Sequence, residues 1–336
     1  MTVDLSAAVD QLRTAPGTPP RLAGCIALVP VHEDAYTLPF CVRSIAPVVD
    51  QVLLCLDSPD AATRRAVDGL TTEFDNVSVA WSTPEGATDP AGWAATRNRA
   101  IEVARQRFPD HAFVLMIDAD DVLSCGGAER VLIPLFRDER VLHAQLGICE
   151  LIGDWVTTAR GRTLVYDPSH VFWRASAADV HFTTDADTQH ERIHVVERSS
   201  GREIGPGRTR QVLFHGVLVK PGDQLLRRTF VRAWLQAGRP ASIDAFIADN
   251  AVARFPRPWP AGLMPSEFVI FHSPGRGRPK PLFRWRRRLP PAIVAHQQAG
   301  PRFTMDLGAR RRHDREPPSE LERGVYERLA ERSHRI

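Results

Sequence analysis

Four short apolar runs, each leading into a polar tip, constrain this chain more than any other feature. CIALVP (25–30) leads into VHED, QVLLCL (51–56) into DSPD, NVSVAW (76–81) into STPEG, and AFVLMI (112–117) into DADD. Each run reads as a buried strand. Between them lie segments whose apolar spacing suits helices: Thr37–Ile45, Pro59–Phe74 and Gly92–Phe108, the last with Ala95, Ile101 and Ala104 on one side and arginines elsewhere. Short apolar strands alternating with helices predict an α/β fold, a doubly wound and mostly parallel sheet covered on both faces. Ligands of such sheets bind beyond the carboxyl ends of the strands. The four polar tips are therefore expected to converge on one crevice.

After Asp121 the pattern changes. Gly127–Phe136 predicts a helix, His143–Leu151 a strand, residues 160–220 short strands mixed with turns, and Gln224–Gln236 a further helix. From Arg254 onward the chain is rich in Pro and Arg with weak periodicity, which predicts an irregular extension. SELE at Ser319–Glu322 is a capping box, and Leu321, Val325 and Leu329 form a stripe, so a last helix is expected there. The expected division is a loosely ordered segment rich in Pro, Ala and Thr (1–21), a core (22–220) and an Arg/Pro-rich extension ending in a helix (221–336).

The five cysteines, Cys25, Cys41, Cys55, Cys125 and Cys149, form no CxxC pair, and several lie inside apolar runs. Buried reduced thiols are expected, not disulfides or zinc ligands. The sequence contains no apolar stretch of membrane-spanning length and no signal-peptide pattern at its start, so a cytoplasmic location is expected. The net charge of +3 is uneven: residues 276–315 carry twelve Arg or Lys against two Asp. Such a block attracts anionic lipid, nucleic acid or a phosphorylated substrate, or else forms a solvated face that balances an acidic body. Peripheral contact with the inner face of a membrane fits the first of these. The block has few aromatics, Phe283, Trp285 and Phe303, so it offers no stacking platform for bases and no nucleic-acid partner is expected.

Asp118, Asp120 and Asp121 put three mutually repelling carboxylates at the end of the fourth strand. Mg2+ and Mn2+ accept oxygen ligands, and Mg2+ typically shares one or two protein carboxylates with substrate phosphates. An acidic turn capping the helix near Gly127 is a plainer reading. A calcium loop fails, because Val122 and Leu123 stand where a further oxygen residue and Gly are needed. Asp118-Ala119-Asp120-Asp121-Val122 also fits the nucleophile motif of haloacid-dehalogenase-like phosphatases, with Asp118 attacking phosphorus. That motif usually lies on a first strand and requires a downstream Lys with an acidic pair, which Lys220 and Asp223 match poorly.

Taken in order, ALVPVHEDAYTLPFCVRSI, VDQVLLCLDSPDAATR, GWAATRNRAIEVA and VLMIDADD resemble family 2 glycosyltransferases of the GT-A fold, over roughly residues 22–125. The departures are His32-Glu33 where that family often has Asn-Glu, and Asp57-Ser58-Pro59-Asp60 where it often has DDGSTD. The resemblance implies a nucleotide-diphosphate sugar, UDP-type favoured, and a Mn2+ or Mg2+ cofactor. It implies Asp120 as a direct metal ligand, Asp118 at ribose or metal-bound water, and Asp121 as support. It further implies the tip at Pro30 and His32 against the nucleotide, Asp57 accepting from the N3–H of the base, and Arg97 on phosphate or base. For Asp57 the plain alternative is a helix N-cap, and for Arg97 a solvated surface position.

Inversion at an anomeric carbon needs a carboxylate to take the acceptor's proton. SHVFWRASAADVHFTTDADTQHERI (169–193) resembles a subgroup in which an HE pair follows the acidic strand end. His190-Glu191 matches that pair, which implies Glu191 as general base, with Asp187 and Asp185 as near rivals and a solvated acidic loop as the alternative. VLFHGVLVKPGDQLLRR (212–228) resembles the subgroup's later passage, implying His215 as a late metal ligand and Lys220 and Arg227 as diphosphate contacts. A lone His on an apolar strand is otherwise a structural one. Trp93, Trp155 and Trp173 suit core packing better than sugar stacking. The acceptor is left open among a saccharide, a lipid-linked carrier, a peptide and a small natural product. A non-catalytic GT-A-like protein that binds nucleic acid or membrane through 276–315 is the non-enzyme alternative.

Overall fold

The structure is a computed structural model that describes residues 21–83, 90–124, 127–152, 157–159, 165–184, 191–218, 222–254, 282–284 and 319–333. The chain forms two compact units, one of Met1–Cys149, Leu164–His215 and Arg288–Ala292, the other of Glu150–Thr163, Gly216–Arg287 and Ile293–Ile336.

The first unit opens with the expected alternation: β1 (Leu22–Val31), α1 (Leu38–Ile45), β2 (Val49–Asp57), α2 (Ala61–Glu73), β3 (Val77–Thr83), α3 (Pro90–Arg107) and β4 (Phe113–Met116). There follow β5 (Asp121–Leu123), a π-helical turn (Ala128–Leu132) running into α4 (Ile133–Arg137), β6 (His143–Ile152), β8 (Val171–Arg174), β9 (Ala178–Thr184), β10 (Glu191–Glu197) and β11 (Gly207–Leu218). The main sheet has the order β3-β2-β1-β4-β8-β6-β11-β5, and β9 pairs with β10 separately. From β3 to β4 all pairs are parallel; β8 runs antiparallel to both β4 and β6, and β11 antiparallel to β5. The fold is thus α/β and doubly wound as expected, with a parallel half and a mixed half.

The strand faces explain the uniformly apolar runs. In β1, Cys25, Ala27 and Val29 pack with α1 and α2, while Ile26 and Leu28 pack with α3 and β9. The same alternation runs through Val52, Leu54 against Leu53, Cys55 and through Phe113, Leu115 against Val114, Met116. A strand buried on both faces leaves no polar position in its period of two. The four described cysteines, Cys25, Cys41, Cys55 and Cys149, are buried free thiols; Cys125 lies outside the described residues.

On α3 the buried stripe is Ala94, Arg97, Ala100, Ile101 and Ala104, and Ala95 is exposed, contrary to expectation. The steps of three and four residues place 94, 97, 101 and 104 on one face. An arginine therefore sits within the core-facing stripe. Asn98 holds the helix to β9 through Nδ2 donating to the Phe182 carbonyl and Oδ1 accepting from its N–H, both at 2.8 Å.

The second unit contains β7 (Thr157–Ala159), α5 (Gly222–Gln236), α6 (Ile243–Arg254), β12 (Leu282–Arg284) and α7 (Glu320–Ser333), with β7 and β12 paired antiparallel. Leu225, Leu226, Phe230, Ile247, Ala251, Val325 and Leu329 form its core. The capping box is formed: Glu322 N–H donates to Ser319 Oγ at 3.1 Å, and Ser319 N–H to Glu322 Oε2 at 3.2 Å. A Cβ on Gly222 would meet the carboxylate end of the Glu322 side chain, which would have to shift to admit it. α6 is not marked by its sequence, because Ala245, Ala248, Val252 and Ala253 add apolar positions beside Ile243, Phe246, Ile247 and Ala251, which pack in this core. Among the described residues no helix is long and apolar enough to cross a membrane.

Candidate functional site

The site assembles at the carboxyl end of β4, where strand registers bring three distant segments to the acidic turn. Met116 pairs with Val171, so the next residues out are Ile117 and His170, and Asp118 follows. The chain turns over Asp118–Asp121, with the Asp121 N–H donating to the Asp118 carbonyl at 3.0 Å, and enters β5. There Asp121 pairs with His215 of β11. Residues directly opposite in an antiparallel pair project to the same face. The Asp121 carboxylate, with no exposed surface, thus lies between two imidazoles.

His215 Nδ1 donates to Asp121 Oδ1 at 2.9 Å and stands 3.5 Å from Asp120 Oδ1. His170 Nε2 lies 2.8 Å from Asp121 Oδ2, yet its direction misses the oxygen, so this buried nitrogen has no hydrogen-bond partner among the described residues. The Asp118 N–H donates to the same Oδ2 at 2.7 Å. The two imidazole rings meet edge to face, 5.4 Å between centroids. Burial pulls the His170 imidazole down, but Asp121, helped by Asp118 and Asp167, outweighs it and lifts it to about 10. Burial likewise works against the Asp121 carboxylate, and His170 and His215 more than offset it, holding the acid below its ordinary range. Asp121, His170 and His215 each present one donor atom within 4.8 Å of the others, a group that could hold a metal. Beneath them, Cys41 Sγ is 3.5 Å from the Asp118 carbonyl; burial, then Asp121 and Asp120, keep its thiol protonated.

A second charged group shares Asp118. Arg97 Nη2 donates to Asp118 Oδ1 at 2.8 Å and Arg97 Nε to Glu191 Oε1 at 3.0 Å. The guanidinium is buried, 8% exposed, and its remaining Nη1 has no partner among the described residues. Burial opposes the charge, but Asp118 and Glu191 hold it firmly protonated. Glu191 is raised above the usual carboxylate range, chiefly by burial, with Arg97 opposing.

Of the other expected site residues, Asp57 is buried at the end of β2, and its carbonyl lies 2.6 Å from His32 Nδ1. The cap of α2 is Asp60, whose carboxylate accepts from Thr63 N–H at 2.7 Å, so Asp57 does not serve as that N-cap. His32 is exposed at the tip of β1 and Pro30 half-buried. Arg97 is not the solvated arginine of the plain alternative. Arg227 is engaged bidentately by Asp244, at 2.8 and 2.9 Å, in the second unit. Trp173 is core and Trp93 half-buried. Asp185, Asp187, His190, Lys220, Trp155 and nearly all of 276–315 lie outside the described residues. Asp118 follows the fourth strand of the chain, not the first.

Sequence reasoning missed His170 and gave Asp121 only a supporting place. The signal was present: Ser169-His170 stands directly ahead of the apolar run VFWR, a fifth polar strand end.

No protein-family model matches the chain. No curated protein matches it either. Among solved structures it is similar to S. aureus TarS 1–349, at 11% identity and a TM-score of 0.35, over 69% of this chain and 71% of that one. It is also similar to glucosyl-3-phosphoglycerate synthase from Mycobacterium tuberculosis, solved with Mn2+ and uridine-diphosphate-glucose, at 12% identity and a TM-score of 0.29, over 45% of this chain and 55% of that one. By its own sheet order, parallel from β3 to β4 and antiparallel between β4 and β8, the fold is of the α/β class expected from the sequence.

Proposed function

We propose that this chain is a metal-dependent, inverting glycosyltransferase of family 2 type that moves a sugar from a nucleotide diphosphate, UDP-type favoured, to an acceptor hydroxyl. One observation carries the reading: a single buried guanidinium, Arg97, joins the acidic strand end at Asp118 to the candidate base Glu191 and keeps one N–H unpaired. Donor-side and acceptor-side groups therefore share one crevice. An unpaired, buried N–H of a permanent cation is suited to a phosphate oxygen.

In the reaction the acceptor oxygen attacks the anomeric carbon, the bond from that carbon to the phosphate oxygen breaks, and the acceptor proton passes to Glu191. Burial raises the basicity of Glu191, and Arg97 fixes its direction. Asp185 and Asp187 are the rival bases. Asp57 receives the base N3–H; Pro30 and His32 line the nucleotide; Asp118 meets ribose or outer-sphere water; Lys220 contacts the diphosphate. Asp120 and His215 would hold Mn2+ or Mg2+, which would supply positive charge against the leaving diphosphate. The core is assigned to 22–220 and a cytoplasmic location to the protein, with the basic extension available for an anionic membrane surface.

The test is thermal unfolding against UDP, GDP, dTDP and CMP, with and without Mn2+, for wild type and Asp120→Ala. A ligand at about a hundred times its dissociation constant adds roughly 2.7 kcal/mol. Stabilisation by one diphosphate only with metal, lost in Asp120→Ala, is the expected result. No shift with any nucleotide sinks the donor site.

A further inference from the structure

We propose that Asp121, His170 and His215 form one cation-binding centre, whose two imidazoles make it a site for Mn2+ or another first-row transition ion in preference to Mg2+. The proposal deepens the reading above by adding His170 and Asp121 to the metal's ligands, and it rests on that reading for what the ion does, not for whether it binds.

Three observations lead to it. First, the registers that place His215 opposite Asp121 and His170 one step beyond Val171 converge three donors from β5, β8 and β11, elements far apart in sequence. Second, His170 Nε2 is buried, 2.8 Å from a carboxylate oxygen, and misaligned for a hydrogen bond to it. Two ligands at right angles on one ion, with bonds of about 2.1 Å, lie about 3.0 Å apart and point at a shared third position instead of at each other. Close approach without alignment is the geometry of co-ligands. An internal ion pair would instead turn the N–H onto the oxygen. Third, charge is left over. Asp118, Asp120, Asp121, Asp167 and Glu191 face Arg97, His170 and His215. With both imidazoles neutral, as ligation requires, five carboxylates exceed the one guanidinium by four charges, and a divalent cation offsets two of them.

The donor chemistry then selects the ion. Mg2+ prefers an oxygen shell and dehydrates reluctantly, whereas imidazole nitrogen suits Mn2+, Co2+ and Zn2+. With two nitrogens among three protein ligands, Mg2+ is the poorer occupant. Asp120, 3.5 Å from His215, is placed to add a further oxygen.

The experiment uses the full chain, stripped of metal, at pH 7.5 without nucleotide. Free Mn2+ is followed by electron paramagnetic resonance during titration, and pulsed spectra of the bound ion read its nitrogen couplings. The expected result is saturable binding with couplings from two imidazole nitrogens, and displacement by Mg2+ only in large excess. His170→Gln should weaken Mn2+ binding by at least about the 10–100-fold that loss of an outer-shell partner costs, with the exposed His194→Gln unchanged. Because the couplings are read on the wild type, a variant that folds poorly does not leave the question open. Bound Mn2+ without nitrogen coupling, displacement by equimolar Mg2+, or unchanged affinity in folded His170→Gln would each overturn the centre. Tight, nitrogen-coupled Mn2+ in a protein that binds no nucleotide supports the centre and tells against the glycosyltransferase reading.

Discussion

Two charged groups flank the same acidic turn, and they are built inversely. Around Arg97 a permanent cation sits between two carboxylates, Asp118 and Glu191, with a spare N–H. Around Asp121 a carboxylate sits between two imidazoles, His215 and His170, with a spare ring nitrogen. The first ends on a donor suited to an anion, the second on a nitrogen suited to a cation. A metal diphosphate carries both, and the turn at Asp118–Asp121 holds the two groups side by side. The difference also separates their stability. Asp121 has no exposed surface, whereas the Asp118 carboxylate is 27% exposed and keeps access to water.

The sharpest break in this contrast is chemical. Glu191→Gln should lower kcat about 10^2–10^4-fold while leaving the metal-dependent shift with diphosphate in place, read by transfer assay and thermal unfolding together. Retained transfer would move the base to Asp185 or Asp187.

Next in size, Asp121→Ala should cost about 3–5 kcal/mol, because it leaves two buried imidazoles without their counter-charge. Urea unfolding in chelator at pH 7 measures it, and a loss under about 1 kcal/mol, the size of one ordinary hydrogen bond, would deny the carboxylate its central place. Arg97→Met should cost less, about 1–3 kcal/mol, since Asp118 recovers hydration, yet it should abolish the diphosphate shift. Arg97→Lys should not restore the shift, because an ammonium cannot span Asp118 and Glu191 as the guanidinium fork does.

The smallest effect sharpens the comparison from outside it. His143 is buried at the start of β6 with neither ring nitrogen partnered among the described residues, and burial depresses it from 6.5 to about 4. Between those values the unfolded chain binds more protons, so this group removes stability as pH falls from 6.5 toward 4. His143→Leu should add about 1 kcal/mol at pH 7 and more at pH 4.5, measured by urea midpoints at both pH values. An equal gain at both would mean that His143 does not titrate as its burial dictates.

Much of the fold was legible because its signals are local. Runs such as QVLLCL need no knowledge of their neighbours to declare a strand buried on both faces, and SELE declared its helix by spacing alone. β5 shows in the sequence only as an acidic cluster, because three residues carry no period. Spacing puts Ala95 in the place of Ala94 because the stripe on α3 contains Arg97, a charge that reasoning from hydrophobicity sets on the outside.

The site divides the same way. That carboxylates gather at the end of the fourth strand followed from residue order, and the resemblance singled out Glu191 and His215, which lie beside that turn through Arg97 and Asp121. Which carboxylate meets which partner did not. Asp120 lies in the turn and Asp121 opens the strand; both carboxylates come near His215, at 3.5 and 2.9 Å, and one pairing register decides that Asp121 stands directly opposite it. That register sets His215 of β11 against Asp121 of β5, two residues 94 positions apart in the chain. His170 joins them through a second register, β4 against β8. Pairing at that range depends on how all the packed faces fit at once, and so it was decided by the tertiary structure.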